Sequence, residues 1–242
     1  KLLAMKLIAI LIIVIVLVHA RHQKKKKHHP KGDCTKARNI GGGSWDYIEL
    51  VQQWPGSACR NTHKPCDVFM STWSIHGLWP DLSTGHWPQF CTSDNFNVTA
   101  IESLMPRMDK YWQSYYSQNS TCFWAHEWLK HGTCASEAKP FSSELKYFGA
   151  ALNLREKFDF LSILGEANIV PSNKKTYKVD DMTAAIKSAT GGEPVIRCQN
   201  AEVYEISICL SREMEVIDCF KGTACPGSVS YPTLVQNDKV QH

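Results

Sequence analysis

No two cysteines of the chain stand three residues apart, nothing beyond about Asp33 repeats or runs to low complexity, and the longest apolar run is twelve residues. Each absence excludes something. Paired-thiolate metal sites want CxxC units, so the ten cysteines point to disulfides instead. A bilayer-spanning helix needs about 20 apolar residues, which Leu7 to Val18 does not supply. The lack of an internal break argues for one domain from Asp33 to His242. Bulk positive charge is missing too. Residues 1–31 hold eight Lys or Arg and no acid, leaving nineteen basic against 23 acidic side chains in the rest. Any nucleic-acid partner must therefore be held by a local site rather than by a basic surface.

What is present fits a globular protein. Of 242 residues, 43% are apolar and 10% aromatic, enough to bury a core and too many for a disordered chain. Ten cysteines imply an oxidising compartment. Lys6, the apolar run and Ala20 read as a secretory signal over residues 1–20, with an uncleaved anchor as the alternative. No stable membrane insertion is expected. The sequence does not open on methionine, and Met5 is expected to be the true start. Residues 21–32, RHQKKKKHHPKG, crowd like charges and read as a solvated linker, the alternatives being a polyanion anchor or a processing site.

Strand patterns fall at Trp45 to Gln53, Asp67 to Ile75, Pro194 to Gln199, Val203 to Leu210 and Met214 to Cys219. Helical spacing links Ile101, Leu104, Met105, Met108, Trp112 and Tyr115. A second helix is expected from Ser142 to Phe158 with Leu145, Phe148, Ala151 and Leu152 on one face. A third is expected from near Asp180 to Gly191 and Gly192. Early and late strands with helices between them indicate an α+β fold, a single disulfide-stabilised domain with a mostly antiparallel sheet. Asn97-Val98-Thr99 and Asn119-Ser120-Thr121 are glycosylation sequons. Cys59 with Cys66, and Cys209 with Cys219, are spaced as local hairpins could bridge, but spacing alone does not pair ten cysteines.

The chemistry concentrates in two segments. Phe123 to Cys134, FWAHEWLKHGTC, carries His126, Glu127, Lys130 and His131. On a regular helix at about 100° per residue these four share one arc, with Trp128 and Leu129 on the back. Zinc is disfavoured, since the histidines are five apart rather than four and Lys130 stands between them. Alone, the segment could be a solvated charged face. About fifty residues earlier, SIHGLWPD places His76 at the end of an apolar strand, where Gly77 and Pro80 are expected to turn the chain at once. Trp79 offers a face on which a base could stack, and Asp81 a carboxylate for base-edge amines.

Together, IHGLWPD and FWAHEWLKHGTCA, with LVQQWPGSAC at Leu50 to Cys59, resemble the ribonuclease T2 family of secreted and lysosomal acid endoribonucleases, from Trp45 to Thr233. The resemblance implies that His131 is the general base for the ribose 2′-hydroxyl and His76 the general acid for the departing 5′-oxygen. It makes His126 a phosphate contact and Glu127 and Lys130 stabilisers of the transition state. The implied reaction on single-stranded RNA gives a 2′,3′-cyclic phosphate, then a 3′-phosphate, with no metal or other cofactor and low base specificity. DNA, lacking the 2′-hydroxyl, is not a substrate. The resemblance further implies that Trp79 and Asp81 line one base pocket and Phe123 the other. Core packing for the aromatics and a turn cap for Asp81 are the plain alternatives. It pairs Cys59 with Cys66, Cys91 with Cys134, Cys198 with Cys225 and Cys209 with Cys219. Cys34 and Cys122 fall outside that set and are expected to pair with each other. His63 and His86 match no role. A monomer is expected, in a lysosome, a vacuole or outside the cell. The rival reading is a signalling protein that uses the scaffold without catalysis.

Overall fold

Buried alternation along the strands and apolar stripes on the helices come together in a computed structural model that describes residues 33–37, 41–61, 66–68 and 70–234. The expected signal, the basic linker, His63 and residues 235–242 lie outside the described residues. The chain enters the sheet at β1 (Tyr47–Gln53), makes one turn of helix α1 (Pro55–Ala58) and returns along β2 (Ser74–Asp81). A 3-10 segment (Val98–Leu104) leads into α2 (Met105–Tyr111). Then come α3 (Thr121–Glu127), a π turn (Trp128–Gly132), α4 (Thr133–Ala135), α5 (Glu144–Lys157) and α6 (Phe160–Glu166). The last third runs β3 (Ser172–Lys178), α7 (Val179–Thr190), β4 (Val195–Gln199), β5 (Glu202–Leu210), β6 (Val216–Ile217) and β7 (Ser228–Tyr231).

The strands form one sheet in the order β2-β1-β5-β7-β3, with β4 and β6 also paired to β5. Every pairing is antiparallel except the short β5–β7 contact, so the expected α+β class with a mostly antiparallel sheet is what is found. Strand β1 is buried on both faces, and two of its buried polar groups are bonded: Gln52 Nε2 donates to Phe158 O at 2.9 Å, and Glu49 accepts from Arg197 at 2.7 Å. Trp54, Trp73, Phe160 and Tyr231 make an aromatic cluster beneath it, tied by the Trp73 indole N–H to Tyr231 Oη at 2.8 Å.

Several local expectations change. Among the described residues of the run Asp67 to Ile75, only Ser74 and Ile75 are strand, at the start of β2. The single helix expected from Ile101 to Tyr115 is broken. Pro106 has no N–H to give the carbonyl four residues back, so the chain is 3-10 before Met105; the α-helix that follows ends at Tyr111, where Trp112 leaves helical geometry at φ −141°, ψ 51°. In α5, Tyr147 takes the buried place expected of Leu145, which faces solvent. Helix α7 ends as expected, on Gly191 in the left-handed region at φ 89°. Strands β3 and β7 were not legible: β3 reads SNKKTYK and is mostly exposed.

Five disulfides close the fold: Cys34–Cys122, Cys59–Cys66, Cys91–Cys134, Cys198–Cys225 and Cys209–Cys219. Cys91–Cys134 clamps the end of the helical block to the loop after β2.

Candidate active site

His76 sits at an irregularity. Val51 of β1 pairs with Gly77 and Gln52 with Ile75, so His76 is the extra residue of a β-bulge. A bulge turns one side chain away from the strict alternation of its strand. The turn expected directly after His76 is absent. Strand β2 continues because Gly77 and Leu78 pair with β1, and Pro80 is tolerated on a strand at the sheet edge. The His76 imidazole keeps 32% of its surface open, and its Nδ1 lies 2.5 Å from Glu205 Oε1 on β5. Its backbone carbonyl accepts from the Trp112 indole at 3.1 Å.

The second block is not one regular helix. After Glu127 the backbone widens into the π turn and tightens again at Thr133. Trp128 and Leu129 face the core as expected, but the four ionisable groups do not share one open arc. Glu127 and His131 are buried, Lys130 is half-buried and His126 is exposed. The turn also brings residues five apart onto one side. Donor atoms of His126, Glu127 and His131 all lie within 4.8 Å of one another, so the spacing argument against zinc does not hold. What opposes a dication is chemical: the Lys130 charge acts on both Glu127 and His131, and Glu127 Oε2 already accepts from the Trp79 indole at 2.9 Å.

Trp79 joins the two segments. Its ring stacks on His131 at 5.3 Å and meets His76 edge-on at 4.9 Å, so both imidazoles flank one indole. The approach is possible because residue 77 is glycine: a Cβ there would overlap both Trp79 Nε1 and Glu127 Oε2. Phe123 packs near His76 at 6.1 Å, and His126 meets His131 at 6.4 Å.

The two imidazoles are biased in opposite directions. Burial, then the charges of Lys130, His126 and His76, hold His131 well below the ordinary histidine range. For His76, burial opposes the charged form, yet the hydrogen bond and charge of Glu205, with Glu127 behind, outweigh it and raise the group. Burial lifts Glu127 to about 7 against the pull of His76, the Trp79 hydrogen bond and Lys130.

Cavities flank this centre. One of about 210 Å³ is lined by Trp79, Asp81, Trp87, Lys130, His131, Arg197 and Lys221. Another, of about 270 Å³, includes Gln53, His76, Tyr115, Phe123 and Tyr204. Asp81 lines the first, but neither of its carboxylate oxygens is idle: Oδ1 accepts from Leu82 N at 2.8 Å and Oδ2 is held by Lys221. His86 is exposed on the loop after β2 and lines neither cavity. Residues that sequence reasoning missed are Glu205, Trp87, Lys221 and Tyr204. Only Glu205 left a signal, a carboxylate inside the otherwise buried strand pattern of β5.

Such an arrangement supplies proton carriers and positive charge, and asks no nucleophile of the protein. That is what breaking RNA by its own 2′-hydroxyl requires, and the class it defines is a ribonuclease. Comparison with known proteins makes the assignment specific. The model of the Ribonuclease T2 family matches residues 45–219. Ribonuclease T2 of Danio rerio is 38% identical over 208 residues, covering 83% of this chain and 84% of that protein. Ribonuclease Oy of Magallana gigas is 39% identical over 212 residues, covering 80% and 99%. The crystal structure of human RNase T2 aligns with a TM-score of 0.70 at 34% identity, over 79% of this chain and all of that one. The chain belongs to the ribonuclease T2 family.

Proposed function

We propose that this ribonuclease cleaves single-stranded RNA internally, without a metal, through His131 as base and His76 as acid. His131 takes the proton of the 2′-hydroxyl, whose oxygen attacks the adjacent phosphorus. The bond to the 5′-oxygen breaks as His76 delivers a proton to it, leaving a 2′,3′-cyclic phosphate and a free 5′-hydroxyl. Water then opens the ring to a 3′-phosphate with the two roles exchanged. His126 contacts the phosphate, and Lys130 and Glu127 meet the charge that builds on its oxygens. One observation carries the reading: two imidazoles flank a single indole, one biased neutral and the other biased charged. A base must be neutral and an acid protonated at the same pH.

The cavities on either side suit the bases flanking the scissile phosphate, with Trp79 stacking in one and Phe123 in the other. Residues 1–20 act as a secretory signal, residues 21–32 as a linker and residues 33–242 as the catalytic domain. Asn97 and Asn119 are exposed and serve as glycan sites, and five disulfides suit an exported or lysosomal enzyme. Among the described residues no helix is long and apolar enough to cross a membrane. The protein acts as a monomer.

The test is cleavage of a single-stranded RNA in EDTA by the native protein, His76→Ala and His131→Ala, beside a DNA of the same sequence. Activity that survives EDTA, disappears in both variants and spares DNA is expected. Cleavage of DNA, or activity abolished by EDTA, sinks the mechanism, and a native protein without activity favours a signalling scaffold.

A further inference from the structure

Glu205 has no part in the reaction just described, yet it is buried against it. It lies on β5, two strands from His76 in the order β2-β1-β5, a backbone span of about 10 Å. The bulge at His76 and the length of the two side chains close that span to a 2.5 Å bond between Nδ1 and Oε1. The Glu205 side chain is only 8% exposed, and the same Oε1 accepts from Gln53 Nε2 at 3.1 Å. Gln53 pairs directly with Glu205 across β1 and β5, so the acceptor is anchored at both backbone and side chain. A buried carboxylate fixed in this way is not an incidental surface partner.

A ring whose Nδ1 is bonded to a carboxylate keeps its other nitrogen, Nε2, for the substrate. Carboxylates that orient catalytic imidazoles act in this way in hydrolytic triads, although there the imidazole begins as a base. Here the bonded imidazole is the one assigned as acid. The charged groups that act on it are Glu205 from β5, Glu127 and Lys130 from the helical block, and His131 behind Trp79. Of these, Glu205 alone bonds the ring.

We propose that Glu205 is a positioning residue for the general acid: its carboxylate fixes the tautomer and orientation of His76 so that Nε2 delivers the proton to the departing 5′-oxygen. The proposal rests on the reading of His76 as that acid. It gives the protein a working pair, Glu205–His76, assembled from residues 129 positions apart.

The discriminating experiment varies the leaving group. A dinucleoside phosphate expels an alkoxide that needs a proton, whereas a uridine 3′-(4-nitrophenyl phosphate) expels a stable phenolate that does not. Glu205→Gln is expected to lose about 10- to 100-fold in kcat/KM on the dinucleoside phosphate and less than about 3-fold on the aryl ester. The alkaline limb of its pH profile is expected to move to lower pH. Equal losses on both substrates, or an unmoved alkaline limb, would overturn the proposal. His76→Ala is run beside it: if that variant loses equally on both substrates, the assignment of His76 as acid fails and the fault is separated from Glu205. A readout free of any substitution is the ¹⁵N spectrum of the native protein. Neutral His76 is expected to carry its proton on Nδ1, and a proton found on Nε2 instead would refute the pairing.

Discussion

The indole of Trp79 lies over the imidazole of His131 with ring centroids 5.3 Å apart and planes inclined by 26°. The same indole gives its N–H to Glu127, which neighbours His131 through the π turn. Trp79 is therefore a wall between the proposed acid and the proposed base as well as one side of the first cavity. The plain alternative for it, simple core packing, misses that its N–H is spent on a buried carboxylate.

The pH dependence of cleavage follows from the opposed histidines. The proposed mechanism needs neutral His131 and charged His76. The acid limb of kcat/KM belongs to His131 and is expected below the ordinary histidine value, and the alkaline limb belongs to His76 and is expected above it. The bell is thus wider than two unperturbed histidines would make it. A bell no wider than two unperturbed histidines give, with both limbs near about 6.5, would remove the two-histidine assignment.

Glu127 links the site to stability. Its folded value, about 7, lies above the unfolded 4.5, so the folded state holds this proton more tightly. The stability it lends is complete below the unfolded value and is lost as pH rises through about 7. Glu127→Gln has no proton to lose, so its stability relative to the native protein is expected to rise from pH 5 to pH 8, by up to about 3 kcal/mol. Urea unfolding of both proteins across that range measures the difference, and a constant offset between the two curves would contradict it.

Gly77 is constrained by the packing of Trp79 and Glu127 rather than by its backbone. Adding one methyl forces apart the indole N–H and the carboxylate it bonds. Gly77→Ala is expected to lower kcat by about 100-fold or more, since small displacements at a reacting centre cost on that order, while remaining folded. A variant with unaltered kcat would show that this contact does not organise the site.

Lys221 occupies the edge of the first cavity and holds Asp81, which is buried. Asp81 is therefore engaged before any base arrives. Lys221→Met strands that carboxylate and is expected to destabilise the protein by about 1–3 kcal/mol. The double variant Lys221→Met with Asp81→Asn should recover most of the loss. Thermal unfolding of the single and double variants decides it. Full additivity of the two substitutions would mean that the pair does not couple.

How far the sequence reaches can be judged residue by residue. IHGLWPD and FWAHEWLKHGTC named the ionisable groups, and long periodic segments such as Glu144–Lys157 and Glu202–Leu210 announced themselves. Short exposed β3 did not, because its residues bury no face and so carry no period. The helical wheel over the second block failed because it assumes one constant pitch. The π turn over Trp128–Gly132 changes that pitch, which brings His126, Glu127 and His131 together while Trp128 and Leu129 stay in the core.

Residue type and local spacing suffice for which side chains could do chemistry, for the α+β class and for the oxidised character of the fold. The bulge of His76 from its strand, the grip of Glu205 on it and the capture of Asp81 by Lys221 arise from long-range assembly. These contacts join residues 129 and 140 positions apart. They exist because the sheet sets β1 between β2 and β5, an order that no local period encodes.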